Sequence, residues 1–426
     1  MAVAGLRGTG DWGTDERPKN FRESILWMEP NGDSPLLALS SKVKGKSKSV
    51  NDPDFSWWCE PMEIIRLQVN GAVGGTVGDT LITVDSSDPS AAAIKTNYGT
   101  ARHLVPGDVL MVEPTADTAS DTAERVIVTQ VHSDLSFSVQ RGASGTSAAV
   151  IANDAFLLHV GSVFGEGTAE PQSTTRNPLK FNNLTQIFKT SYELTNSANA
   201  TLARTGDTLA NDKKRRMFDH SKAMEMALMF GRKFEDTDAN GKPRRFMSGL
   251  RQFIPTANTT ILAANWGLLT SAAPGNNLID AISPVFDYSS PAGNTRIGLC
   301  GNGALNAINK AIGASSGANG VNIYWGQEKK LWGMEFRELV FPQGRVLLKT
   351  HPLMSRHALY TNSMWLMDFS ALTYVSLAGR DTKSFDDIQA KGEDLKRGQW
   401  LTECSLMVDF GGQTLGYIGG FGSAVA

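Results

Sequence analysis

The chain has 426 residues, enough for two or three domains at about 150 residues each, and 41 Lys plus Arg against 43 Asp plus Glu leave a net charge of -2. That balance sets up no global field to draw the protein onto nucleic acid, so any DNA contact would be local and nonspecific. Three isolated cysteines, Cys59, Cys300 and Cys404, fall outside any CxxC spacing, which argues against a disulfide framework or a structural zinc site and fits a reducing cytoplasm.

The opening MAVAGLRGTGDWGTDERPKN has no secretory pattern, and no run of about 18 apolar residues occurs, so a soluble chain without a membrane span is expected. Residues 21–42, FRESILWMEPNGDSPLLALSSK, give two apolar bursts broken by Pro30, Asn31, Gly32 and Pro35, the pattern of an arm with local helical turns. Lys42, Lys44, Lys46 and Lys48 then recur at every second position, reading as a solvated loop or as a basic edge. Next comes DPDFSWWCEP. In an extended chain Trp57 and Trp58 point to opposite faces and need two different surfaces. For an indole near a chain end, the expected cover is a second copy of the protein.

From about residue 71 to 165 short β-like runs alternate with Gly, Asp, Ser and Pro, predicting an inserted all-β sandwich or barrel. The clearest hairpin is VIVTQVHSDLSFSV, with a turn at Ser133 and Asp134 and with Leu135, Phe137 and Val139 sharing one face. On either side, IIRLQVN and FKTSYELTN show period-two alternation, and the two are expected to pair as the stem of one long excursion that carries the module. Phe188 and Tyr192 lie on the apolar face of the second segment.

Residues 207–231, DTLANDKKRRMFDHSKAMEMALMFG, form the strongest predicted helix, with Thr205 or Asp207 to cap it, Gly231 to end it, and a packing stripe of Met217, Ser221, Met224 and Leu228. The cations from Lys213 to Arg216 sit in its first half, where they gain nothing from the helix dipole and need partners elsewhere. Residues 276–350 predict a separate α+β unit: NNLIDAISPVF and NGALNAINKAI helical, TRIGLC, MEFRELVF and RVLLKT extended. The later strands, in WLMDFSALTYVSL, QWLTECSLMVDF and QTLGYIGGFG, have no core of their own and are expected to return to the long helix.

No catalytic constellation emerges. GASSG at 313–317 matches a nucleophile elbow around Ser315, but a helix precedes it where a strand is required. SSKVKGKS lacks the first glycine of a phosphate loop, and GLCGNGALNA has Asn306 at the third glycine position of a dinucleotide fingerprint. His351 and His357 flank Pro352 at no metal-ligand spacing, and no carboxylate pair is marked out. No enzyme activity, catalytic residue, cofactor or metal is therefore expected. A hydrolase carrying a carbohydrate-binding module would need a nucleophile and base that the chain does not present.

Taken in this order, FRESILWMEPNGDSPLLALSSKVK, DPDFSWWCEP, and NLTQIFKTSYELTNSANATLARTGDTLANDKKRRMFDHSKAMEMALMFG resemble the major capsid proteins of tailed bacteriophages with the Hong Kong 97-like capsid fold. WLMDFSALTYVSLAGRDT and IQAKGEDLKRGQWLTECSLMV resemble the later strands of that family. The resemblance covers most of the chain and implies an α+β fold of five parts. These are an N-terminal arm (1–62), an extended-loop region (63–70 and 166–204), an inserted β domain (71–165), a peripheral domain with spine helix (205–275 and 351–426) and an axial domain (276–350). It implies a virion subunit, assembled in the host cytoplasm into hexamers and pentamers around double-stranded DNA, with scaffolding, portal and decoration proteins as further partners. Phe55, Trp57, Trp58, Phe188 and Tyr192 would then be intersubunit contacts, while Met217, Met224 and Leu228 pack the spine helix. Near-neutral charge suits a shell that encloses DNA without gripping it. The alternative is another virion component, of the tail or the decoration, with a β-sandwich module.

Overall fold

Strands that are apolar at consecutive positions need cover on both faces, and TRIGLC, RVLLKT and MWLM find it in the interior. In a computed structural model, which describes residues 36, 47–60, 66–85, 101–114, 122–171, 173, 178–201, 206–262, 278–315, 324–331 and 334–421, they lie side by side in a seven-stranded sheet. Its order is Thr259–Ile261, Gly416–Gly419, Met364–Met367, Thr295–Cys300, Arg345–Thr350, Met334–Val340 and Tyr324–Leu331. Ile297, Leu299, Leu347, Trp365 and Met367 face one core, shared with Met224 and Leu228 of the long helix. The alternate residues Cys300, Val346, Leu348, Met364 and Leu366 face a second core, under the helix Asn302–Ser315 and the turns Leu278–Ile282 and Ser283–Phe286. The α+β unit expected at 276–350 thus takes in strands from before and after that range. Met364–Met367 is drawn in by antiparallel pairing to Thr295–Cys300, which buries both of its faces at once.

A second sheet runs in the order Ser47–Val50, Leu372–Leu377, Leu395–Val408, Gln186–Thr195, with Lys383–Phe385 beside the third of these strands. Lys48 lies exposed on the edge strand Ser47–Val50; Lys42, Lys44 and Lys46 fall outside the described residues. Across this sheet lies the spine helix, Thr208–Phe230. Asp207 caps it by accepting from the Ala210 N–H at 3.1 Å, and Gly231 ends it. Its buried face carries His220, Met224, Glu225, Leu228 and Met229, so the stripe is centred slightly away from the expected one, and Met217 and Ser221 are only half-buried. Lys213 finds its partner on the chain: its Nζ lies 2.8 Å from Asp386 Oδ2.

Two glycines let the helix end meet the following loop backbone to backbone. The Gly249 N–H donates to the Gly231 carbonyl at 2.9 Å, and a Cβ on Gly249 would stand 2.6 Å from the Gly231 nitrogen and 2.7 Å from the Ala227 oxygen. Gly301 and Gly303, which prompted the dinucleotide comparison, serve the same purpose. A Cβ at either would strike Thr361 or Asn362, so their glycines admit a neighbouring chain segment.

The inserted module is a six-stranded barrel with its own core. Its strands follow the order Arg66–Gln68, Phe156–Ser162, Asp108–Val112, Arg125–Ser133, Ser136–Ala143, Leu81–Thr83. A Val69 to Val84 bridge closes the ring, with the Asn70 N–H donating to Thr83 O at 2.8 Å and the Asp85 N–H to Gln68 O at 3.0 Å. Ile82, Leu110, Val126, Phe137 and Leu157 fill it. Leu135, expected on the inner face with Phe137 and Val139, is 42% exposed because the turn falls at Asp134 and Leu135, one residue later than the sequence suggests. Near the wall Arg141 and Glu124 form a buried bidentate pair, 2.7 Å from Nε to Oε1 and 2.8 Å from Nη2 to Oε2. Such a pair must satisfy its remaining polar atoms, and Arg141 Nη1 does so by donating to the Gly74 and Asp79 carbonyls.

The expected stem does not form. Arg66–Gln68, from IIRLQVN, pairs with Phe156–Ser162 inside the barrel, whereas Gln186–Thr195 pairs with Leu395–Val408 in the second sheet. Each segment's apolar face is claimed by a different core: Leu67 turns into the barrel, and Phe188 turns under the spine helix. The stem is instead Asp54–Cys59 paired antiparallel with Leu179–Leu184.

Candidate assembly interface

The stem places the double tryptophan. Along Asp54–Cys59 exposure alternates residue by residue, as a pleated strand requires. Phe55 and Trp57 turn inward and Trp58 turns out. Trp57 is 8% exposed; its Nε1 donates to the Val408 carbonyl at 3.0 Å, and its ring stacks on Phe55 at 5.8 Å and on Phe181 at 6.2 Å. Phe253 leans on it from the short helix Leu250–Phe253, at 6.1 Å. The first surface that the two tryptophans require is therefore within the same chain.

Trp58 is different. It is 62% exposed, with Lys180, its cross-strand neighbour, set over the ring at 6.0 Å. Asn182 and Ser56 continue the same outward row, and Lys233 reaches this row from the end of the spine helix, its Nζ 2.6 Å from Asn182 Oδ1. The base of the stem is fixed by Asn183, which is fully buried. Its Nδ2 donates to the carbonyls of Ser248 and Leu406 at 3.1 and 2.7 Å, and its Oδ1 accepts from the N–H groups of Leu184 and Ser248, both at 2.8 Å. All four hydrogen-bonding positions of the amide are thus used. Trp58 is consequently presented on a rigid ribbon.

Phe188 and Tyr192 also lie inside. Phe188 is 8% exposed and meets His220 edge-on at 6.4 Å. Tyr192 covers Gly398, where any Cβ would collide with the ring, and its hydroxyl donates to Asp386 Oδ1. Burial, and then the Asp386 carboxylate, push the Tyr192 phenol above its ordinary range. Phe55, Trp57, Phe188 and Tyr192 are thus taken up by intrachain packing, because each sits on the face of its strand that meets the chain's own core. Trp58 alone of the five expected contacts stays on the surface.

Sequence reasoning missed His220 and Asn183. His220 is 1% exposed and joins two strands of the second sheet, with Nδ1 3.0 Å from Thr190 Oγ1 and Nε2 2.8 Å from Thr402 Oγ1. Burial holds its imidazole below the ordinary range. The i, i+4 spacing of His220, Met224 and Leu228 was the available signal. For Asn183 there was none, since nothing local in LKFNNL marks an asparagine for burial.

Among the described residues no group of three or more His, Cys, Asp or Glu could hold a metal, and no helix is long and apolar enough to cross a membrane. Cys300 and Cys404 are buried thiols pushed up to about 12 by burial, far from the thiolate form that nucleophilic work requires.

The model of the SU10 major capsid protein family matches residues 7–415. The chain belongs to the SU10 major capsid protein family. Its role is structural, in building a phage capsid. The major capsid protein of Pseudomonas phage PaMx41 is 26% identical over 383 residues, covering 88% of this chain and 82% of that one. Solved structures with some likeness to this SU10 family member include the capsid of Cyanophage A-1(L), at TM-score 0.44 and 10% identity over 97% of this chain and 98% of that one. Another is the capsid of a native GTA particle, at TM-score 0.43 and 10% identity over 95% of each.

Proposed function

We propose that the chain forms the icosahedral head shell of a tailed phage, with Hong Kong 97-like subunits packed as hexamers and pentamers around double-stranded DNA. The outward face of the stem, centred on Trp58, is where a neighbouring copy docks. The family match over residues 7–415 carries the reading. Trp58 supplies its local physical support. An indole that is 62% exposed leaves a large apolar area in water, and a rigid aromatic anchor on a fixed ribbon recovers that area when a neighbour covers it with little rotamer entropy to lose. Assembly in a reducing host cytoplasm accords with three cysteines that are all unpaired.

Electron microscopy of the purified full-length protein tests the shell reading. Closed particles or ring-shaped capsomers are expected. A monodisperse monomer under all salt and concentration conditions that favour association would overturn it.

A further inference from the structure

The spine helix carries a carboxylate that the capsid role leaves unexplained. Glu225 is fully buried, yet its Oε1 is met from two remote parts of the chain. The backbone N–H of Leu36, 189 positions earlier, donates to it at 2.8 Å. His351 Nε2, 126 positions later, lies 2.9 Å from the same oxygen, and neither side chain has any exposure. His351 stands at the end of Arg345–Thr350, where its own N–H donates to the Cys300 carbonyl at 2.8 Å and its Nδ1 accepts from the Met354 N–H at 3.4 Å. With Nδ1 accepting, the ring proton sits on Nε2 and is donated to Glu225. Leu36 is 2% exposed, in the same core cluster as Met224, Leu228 and Met354.

A buried carboxylate is tolerated only when donors surround it. Removing it would leave the Leu36 N–H and the His351 Nε2–H buried without this acceptor. His351 is supplied by a rigid strand end, and the Leu36 amide belongs to the N-terminal arm. We propose that Glu225 is the anchoring site that ties Leu36 to the spine helix: the carboxylate captures the Leu36 amide, and His351 is the positioning residue that aims it. The contact joins Leu36, the spine helix and the end of Arg345–Thr350 at one atom, so Leu36 is held only when the spine helix and the seven-stranded sheet are in register. It stands independently of whether Trp58 meets a neighbour.

Hydrogen–deuterium exchange on the full-length chain, read by mass spectrometry, tests the anchor. Glu225→Met removes the acceptor without stranding a charge and is expected to speed exchange in the peptide containing Leu36 by about ten-fold, the loss of one charge-assisted hydrogen bond, while Arg345–Thr350 keeps its wild-type protection. His351→Leu should do the same. His351→Gln, whose amide N–H can reach toward Glu225, should restore protection. Unchanged exchange at Leu36 in both Glu225→Met and His351→Leu would overturn the anchor, as would an equal rise at Leu36 and Arg345–Thr350, which marks general loosening. Failure of His351→Gln to restore protection would remove the positioning role. If Glu225→Met yields no soluble chain, Glu225→Gln provides a weaker, neutral acceptor. An intermediate rate at Leu36 then supports the anchor and a wild-type rate refutes it.

Discussion

At Trp57 the backbone sends an indole inward to the Val408 carbonyl, and one residue later it sends Trp58 into water, so the two positions should respond oppositely to truncation. Trp57→Ala is expected to destabilise the unassembled subunit by about 3–5 kcal/mol, the usual cost of emptying an aromatic core site. Trp58→Ala should leave the subunit melting temperature nearly unchanged and reduce particle yield. Thermal melts of unassembled subunits beside electron-microscope particle counts separate the two; a Trp58→Ala subunit that melts early but assembles fully would count against the docking role. His220 makes a pH prediction. Its folded-state pKa is depressed by burial, so the unfolded chain binds the extra proton as pH falls through its ordinary value of about 6.5. The stability that neutral His220 contributes is present above that pH and is lost progressively as pH drops toward the folded-state value. A His220→Gln subunit should lose less stability than wild type between about pH 7.5 and pH 5.5, measured by denaturant titration. Parallel slopes would refute the assignment.

Among the elements, the spine helix was the most legible, because its cap, its length and its apolar spacing all lie within one local stretch. The stem was the least legible. DFSWWC announces alternating faces, but its partner LKFNNL is about 120 residues away in sequence and carries two asparagines, and only the fold reveals that Asn183 is there to satisfy a buried junction. Period-two patterning marks Arg66–Gln68 of IIRLQVN and most of FKTSYELTN as extended, yet it does not name a partner strand, and each goes to a different core. The end of the spine helix offers a further test. Gly249→Ala would force a Cβ against backbone atoms of Gly231 and Ala227, which no rotamer change relieves, and a loss of roughly 1–3 kcal/mol is expected. Gly→Ala at Gly241, in an exposed turn at positive φ with no atom near its Cβ, supplies a control for backbone strain alone. Gly249 itself lies at φ −91°, where alanine meets no backbone strain, so a Gly249→Ala subunit that melts like wild type would refute close packing as the reason for the glycine.

At the scale of the whole molecule, the sequence conveyed the α+β character and the presence of an inserted β module. It did not convey that the seven-stranded sheet gathers strands from 259–261, 295–350, 364–367 and 416–419, because strands covered on both faces look alike whichever sheet they join. For the five aromatics expected at an assembly contact it conveyed the alternation of faces, and it could not tell an intrachain surface from an intermolecular one. The barrel has its own core and closes on itself, so it should be separable. Replacing residues 60–178 with a short Asn-Gly turn should leave a soluble chain that keeps its helical circular dichroism and a buried Trp57 fluorescence. An insoluble product would show that the barrel is integral to the main body.

Cys59 and Leu179 face each other across a single antiparallel pair, so the polypeptide departs for the barrel and comes back within about 5 Å. Any domain whose own two ends lie side by side fits such a socket without disturbing the ribbon or its tryptophan. The geometry thus makes this position a natural place for lineages to exchange cargo domains, and for an engineer to display one.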